Sequence, residues 1–343
     1  MKNIIKYIHI PSYPSIALYI ELRKDSEVVI ITSNNDVKLL CDFMGWKYIY
    51  FEYYIFTNKS KNIVNKISKI LDSRRHFRES SSFLSSNIEE NSEIYLSVFG
   101  VDLQGVHILF NLIKKRKDLK VISHVENTVK MKKKIEWPKP KEFLEFLKSN
   151  IMFFPPLFLY LQGGDGRYQW ISEKYYMRKY NISKYIIKIT NEHELYKFSG
   201  ISRRLGLKNK INVFIGTYKF EYDELIWDAS KVKKIYRLLK KHSIYYKAHP
   251  GVLEIDDFFI EEKQVKQFIP VEMIWDNINI CVAVASLSLI NLSKMGVKCI
   301  CLLNLVSPKE NFDADYYIEL YKKHGDNILF PNDMLELENM MSA

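Results

Sequence analysis

Glycine and proline are scarce in this sequence, at 12 and 10 of 343 residues. That scarcity argues against long disordered or linker-like stretches. No run of about eighteen apolar residues occurs, so the sequence predicts no membrane-spanning helix. The first ten residues offer one early lysine and a short apolar stretch. A secretory signal needs a longer apolar region and a small-residue cleavage site; Pro11, Pro14 and the neighbouring tyrosines fit a first buried strand better. Cysteine is also sparse: Cys41, Cys281, Cys299 and Cys301. No CxxC pair or Cys/His cluster suggests zinc, and three of the four lie in strongly apolar runs. They read as reduced core thiols in a cytoplasmic protein. Internal repeats and extended low-complexity segments are lacking too.

What is present is ordinary globular material, 47% hydrophobic and 27% charged, in a chain too long for one core and comfortable for two domains. The formal net charge is +11. Local runs such as Lys132-Lys133-Lys134 and Lys233-Lys234 fit solvated faces, and no nucleic-acid motif accompanies them. A peripheral position on an anionic inner membrane face suits a modest basic excess better than nucleic acid does.

Short apolar runs alternate with loops and helical stretches. Residues 4–10, 27–32, 47–54, 93–98 and 119–125 read as strands, and 105–115 as a helix. The serine-rich stretch 79–86 reads as a surface loop. Pro138 and Pro140 precede a short helix at 141–148, followed by the aromatic segment 151–161 with Pro155-Pro156. A second α/β unit opens with a strand at 211–215, an amphipathic helix at 229–241 and a strand at 244–248. It continues with a short extended piece at 266–269, a strand at 279–285 and a helix at 286–294 ending on Gly296. A strand at 297–305 and a terminal helix at 332–342 complete it. The pattern predicts an α/β protein of two Rossmann-like domains facing a central cleft. The domains are expected at 1–205 and 206–330, with a C-terminal helix over 331–343. In doubly wound sheets ligands bind outside the carboxyl ends of the strands.

Several polar groups fall at those strand ends. His249, in Tyr246-Lys247-Ala248-His249-Pro250, is held extended by the proline that follows. Its imidazole could donate to a phosphate or protonate a leaving group, or be an ordinary loop histidine. Ser286 and Ser288 follow an apolar strand and open a helix, as a phosphate cradle or as plain serine caps. Glu272, two residues after Pro270, falls in a first helical turn and could accept hydrogen bonds from a ribose. Gly216-Thr217 follows a strand where a small residue lets a ligand approach.

Gly-Thr after a strand, then His-Pro, then Pro-x-Glu, then a serine-rich strand-to-helix turn: this order resembles the bacterial sialyltransferases and polysialyltransferases, including the lipooligosaccharide enzymes of that group. The resemblance covers mainly residues 211–305. It implies two Rossmann-like domains of the GT-B glycosyltransferase type, with 1–205 on the acceptor side and 206–330 on the nucleotide-sugar side, CMP-sialic acid as donor and no metal or other cofactor. It further implies that His249 contacts the CMP phosphate, Glu272 the cytidine ribose, and the serines the phosphate. Where the family has two adjacent hydroxyl residues, this chain has Ser286-Leu287-Ser288. The acceptor would be a cell-surface glycan of capsule or lipooligosaccharide, lipid-linked or free. Transfer also needs a base. The family's acidic motif is partly matched by Glu126 after the fifth strand and by Asp165 in Gly164-Asp165-Gly166, with Asp223 third. Two other readings stand beside this one. One is a Kdo or CDP-polyol phosphate transferase on the same scaffold; the other is a non-catalytic nucleotide- or glycan-binding protein.

Overall fold

The computed structural model describes residues 4–10, 16–52, 63–97, 103–124, 183–185, 201–216, 229–249, 263–306 and 314–342. The expected helix at 141–148 and the aromatic segment at 151–161 lie outside them. The chain divides into two compact units, Met1–Thr190 and Asn191–Ala343.

The first unit runs β1 (Lys6–His9), α1 (Ile16–Arg23), β2 (Val28–Thr32), α2 (Asn35–Met44), β3 (Tyr48–Tyr50), α3 (Ile63–Asn87), β4 (Glu93–Ser97), α4 (Leu103–Lys115), β5 (Lys120–His124) and β6 (Ser183–Tyr185). Its strands pair in parallel in the order β3-β2-β1-β4-β5-β6. Near-continuous apolar strands such as Val28–Thr32 suit a sheet covered on both faces. Asn34 starts α2 by accepting from the backbone N–H of Asp36 at 2.8 Å and Val37 at 3.3 Å. Gly45 stops it in the left-handed region at φ 68°.

The serine-rich stretch 79–86 is not a surface loop. It lies inside α3. Phe77, Ser80, Ser81, Leu84 and Ile88 are all buried, at the three- and four-residue spacing of one helical face. Phe77, Leu84 and Ile88 join a core with Ile108, Leu109 and Leu112 of α4. Tertiary burial here overrides the weak helix preference of serine, whose small side chain admits close packing.

The second unit runs α5 (Ile201–Arg204), β7 (Ile211–Ile215), α6 (Ala229–Lys241), β8 (Ile244–Lys247), β9 (Gln264–Val265), a 3₁₀ segment (Val271–Asn277), β10 (Ile278–Ala283), α7 (Ser288–Lys294), β11 (Lys298–Cys301), α8 (Ala314–His324), β12 (Ile328–Leu329) and α9 (Met334–Ser342). The sheet order is β12-β11-β10-β7-β8-β9, again parallel throughout. Numbered within the unit this is 3-2-1-4-5-6, the same order as the first sheet and the order of the Rossmann fold. Two doubly wound α/β units are thus established.

Several bounds shift. The extended piece expected at 266–269 is a turn closed by Ile269 N–H to Lys266 O at 3.0 Å; the strand is Gln264–Val265. Pairing with Tyr246 and Lys247 ends at Val265, which places the turn at the sheet's edge. The strand expected to reach 305 stops at Cys301, where Leu302 to Leu305 turn. Gly296 follows α7 at φ 86°, in the place of a helix-ending glycine.

All four cysteines are free and buried. Burial pushes the Cys41 and Cys301 thiols up to about 12, so they pack as small apolar groups. Among the described residues no helix is long and apolar enough to cross a membrane.

Candidate functional site

The second sheet reverses direction of build between β7 and β10. The chain leaves β7 toward β8 on one side and leaves β10 toward β11 on the other. Loops that diverge in this way open a crevice at the carboxyl edge, where doubly wound sheets take ligands. In register, Ile215 stands between Lys247 and Ala283. The next residues on these three strands are Gly216, Ala248-His249 and Val284-Ala285-Ser286. The sequence-predicted Gly216, His249 and Ser286 therefore follow three neighbouring strands at one edge of the sheet.

At Gly216 the backbone N–H donates to Lys247 O at 2.9 Å, carrying the ladder one residue past the strand. The missing side chain leaves room for the Tyr246 ring: a Cβ there would lie 2.8 Å from two of its carbons. That ring is buried and stacks on Phe214 with centroids 6.1 Å apart. Gly216→Ala is therefore expected to cost about 1–3 kcal/mol through overpacking, read as a lower urea midpoint. An unchanged midpoint would show that Tyr246 moves aside freely.

His249 sits at the exposed lip of β8. Partial desolvation by surrounding protein first, and the Lys247 charge second, hold its imidazole pKa below the usual histidine value. At neutral pH the ring is then neutral, with one N–H to donate and one nitrogen to accept.

The neighbour that sequence reasoning missed is Lys247. It is buried, and its Nζ donates to Ala248 O and to Gln267 O, each at 2.8 Å. Gln267 in turn donates through Nε2 to His249 O at 3.0 Å. Lysine and glutamine thus clasp the backbone on both sides of the histidine. The available signal was a single charge in the otherwise apolar and aromatic run Ile244-Tyr245-Tyr246-Lys247.

Glu272 is half-buried in the first turn of the 3₁₀ segment, directly after Pro270. Asn291 of α7 donates to its Oε1 at 3.4 Å, which ties the carboxylate to the helix that follows the serines. Ser202 Oγ donates to Asp276 at 3.1 Å and anchors the far end of the segment. Ser286 Oγ accepts the Ser288 backbone N–H at 3.3 Å, and Leu289 N–H donates to Ser286 O at 3.1 Å. Ser286 thus closes the turn into α7 while keeping its own hydroxyl proton for donation. Ser288 is the first residue of α7 and half-buried. Thr217, Pro250, Glu126, Asp165 and Asp223 lie outside the described residues.

No protein-family model matches the chain, and no curated protein does. Solved structures of similar chain course include a UDP-GlcNAc 2-epimerase from Methanocaldococcus jannaschii. It is 11% identical, with 99% of this chain and 92% of that chain covered and a TM-score of 0.46. LpCGTa in complex with UDP is 10% identical over 99% of this chain and 91% of its own, with a TM-score of 0.47. The spinosyn rhamnosyltransferase SpnG is 10% identical over 98% and 88%, with a TM-score of 0.38. None of these three is described as a sialyltransferase. At such identities the fold assignment stands on the two strand orders.

Proposed function

We propose that this chain is an inverting glycosyltransferase that passes sialic acid, or a related nonulosonic acid, from a CMP-linked donor to a hydroxyl of a cell-surface glycan. What supports this reading is that Gly216, His249 and Ser286 follow β7, β8 and β10 at one carboxyl edge of the second sheet. In the proposed scheme the donor phosphate sits at this edge. His249 donates to the phosphate oxygens as charge develops on departing CMP. Ser286 and Ser288 hold the phosphate, Thr217 lines the approach beside Gly216, and Glu272 takes the ribose hydroxyls. The acceptor oxygen attacks the anomeric carbon in line, its proton passes to a carboxylate (Glu126 or Asp165), and the bond to the CMP phosphate breaks. One displacement inverts the anomeric centre. The reading invokes no metal, because one phosphate leaves and the side chains of this edge supply its donors.

The test is a donor panel with a chelator present: CMP-sialic acid, CMP-Kdo, a CDP-polyol and UDP-GlcNAc, with nucleotide release as readout. Release of CMP from CMP-sialic acid, increased by a glycan acceptor, is the expected result. Turnover only of CMP-Kdo or of the CDP-polyol would move the protein to those transferases. UDP release would assign it to UDP-sugar chemistry. CMP binding without turnover of any donor would make it a binding protein.

A further inference from the structure

Helix α6 carries a charge pattern that neither the sheet nor the candidate site explains. Of its thirteen residues, Ala229–Lys241, six are basic and none acidic. The helical period sorts them sharply. Ile235, Tyr236, Leu238 and Leu239 are buried, so the apolar stripe faces the sheet. Lys231, Lys234, Arg237 and Lys241 are exposed, spaced by three, three and four residues along one outward stripe.

The helix dipole accounts for Lys240 and Lys241 in the last turn. Lys234, Arg237 and Lys241 stand at spacings where like charges repel one another, and an anionic surface outside the molecule would relieve that repulsion.

The stripe continues past the helix. Asn212 of β7 donates to His242 O at 3.1 Å, which brings the end of α6 to the start of β7. Exposed Lys208 and Lys210 lie just before that strand. The end of α6, with Lys241, and the residues Lys208 and Lys210 lie toward the amino-terminal end of the sheet. Strand β8 runs away from that end, from Ile244 to Lys247, and delivers His249 at the opposite one.

We propose that the outward face of α6, extended by Lys208 and Lys210, docks this protein on an anionic lipid surface. The partner follows from the chemistry of the face. Its exposed side chains are cationic, and the one aromatic residue of α6, Tyr236, is buried. Bases of single-stranded nucleic acid seek aromatic platforms for stacking; a lipid headgroup plane asks only for charge. Among the described side chains the face offers no exposed apolar wedge, so attachment is electrostatic and salt-sensitive. The proposal is independent of which donor the enzyme uses.

The full chain is floated with vesicles of phosphatidylcholine, alone or with about 30 mol% phosphatidylglycerol, since anionic headgroups supply the attraction. Partition onto the anionic vesicles only, abolished by about 0.5 M salt, is the expected result. The triple variant Lys234→Glu, Arg237→Glu, Lys241→Glu is expected to partition about tenfold more weakly or worse, with an unchanged melting curve. A glutamine triple at the same positions serves if the glutamates unfold the helix, with a smaller loss in the same direction. The charge-matched control Lys115→Glu, Lys117→Glu, Lys323→Glu is expected to keep its binding. Failure of the wild-type chain to partition overturns the proposal. So does equal loss in both triple variants, which would indicate net charge alone. Preferential binding of single-stranded RNA over vesicles at equal salt would reassign the surface to nucleic acid.

Discussion

Replacing His249 with alanine is expected to lower CMP release by about a hundred- to a thousandfold, the usual loss when one donor to a developing anion is removed. The fold should survive, because the residue is exposed at a strand end and its backbone stays clasped by Gln267. An unchanged melting temperature together with the lost turnover would place the defect in chemistry. His249→Asn keeps an N–H donor and should retain part of the rate. The pH profile carries further information. With its pKa held below the usual value by burial and the Lys247 charge, the ring takes up its proton only in more acid solution than an ordinary histidine, so a rate that needs neutral imidazole holds further into acid. Stability has a matching sign. The unfolded chain takes up the proton more readily than the folded one. The contribution of His249 therefore falls as pH drops through the ordinary imidazole range toward the lower folded value, and is fully present above that range. Turnover by His249→Ala at the wild-type rate would remove His249 from the reaction.

Lys247→Met is expected to cost about 2–4 kcal/mol of stability. The methionine fills much of the volume but leaves Ala248 O and Gln267 O without the donor that now serves both, and each unsatisfied buried acceptor costs about 1–3 kcal/mol. Burial of the cation is itself costly, and its removal offsets part of that loss. Urea denaturation reads the stability. A separate consequence is local: the Lys247 charge is one of the two causes that depress the His249 pKa, so the imidazole should titrate closer to its ordinary value in the variant. NMR of the histidine ring measures this without any substrate. If neither stability nor the titration moves, the clasp has no role in placing His249.

The sequence made the strands of the second unit readable because each is a compact apolar run bounded by turns. Residues 211–215, 229–241 and 244–248 correspond closely to β7, α6 and β8. Strand order was legible only as a class, since side-chain patterns say that a strand is buried on both faces but not which neighbour it takes. Helix α3 is not legible across residues 79–86 because five of those residues are serines that favour turns on their own, and the burial that overrides them is set by α4. In the site, His249, Gly216 and Ser286 were visible as polar or small residues ending apolar runs. Lys247 was not singled out, because its importance comes from the Gln267 carbonyl, which folds back from a turn twenty residues away.

The common strand order of the two sheets also sets a sequence of events during synthesis. In each unit the first strand made becomes an inner strand, and its second neighbour arrives only as the fourth. Tyr7 waits for Ile94, and Val213 waits for Cys281. The entropy of closing such a span grows only slowly with its length, but contacts distant in sequence form late. All described strands of the first sheet precede Thr190, so that unit can assemble while the second is still emerging from the ribosome. Within the second unit, the seam between β7 and β10 is then the late long-range joint, and the edge that carries Gly216, His249 and Ser286 is complete only when that joint closes.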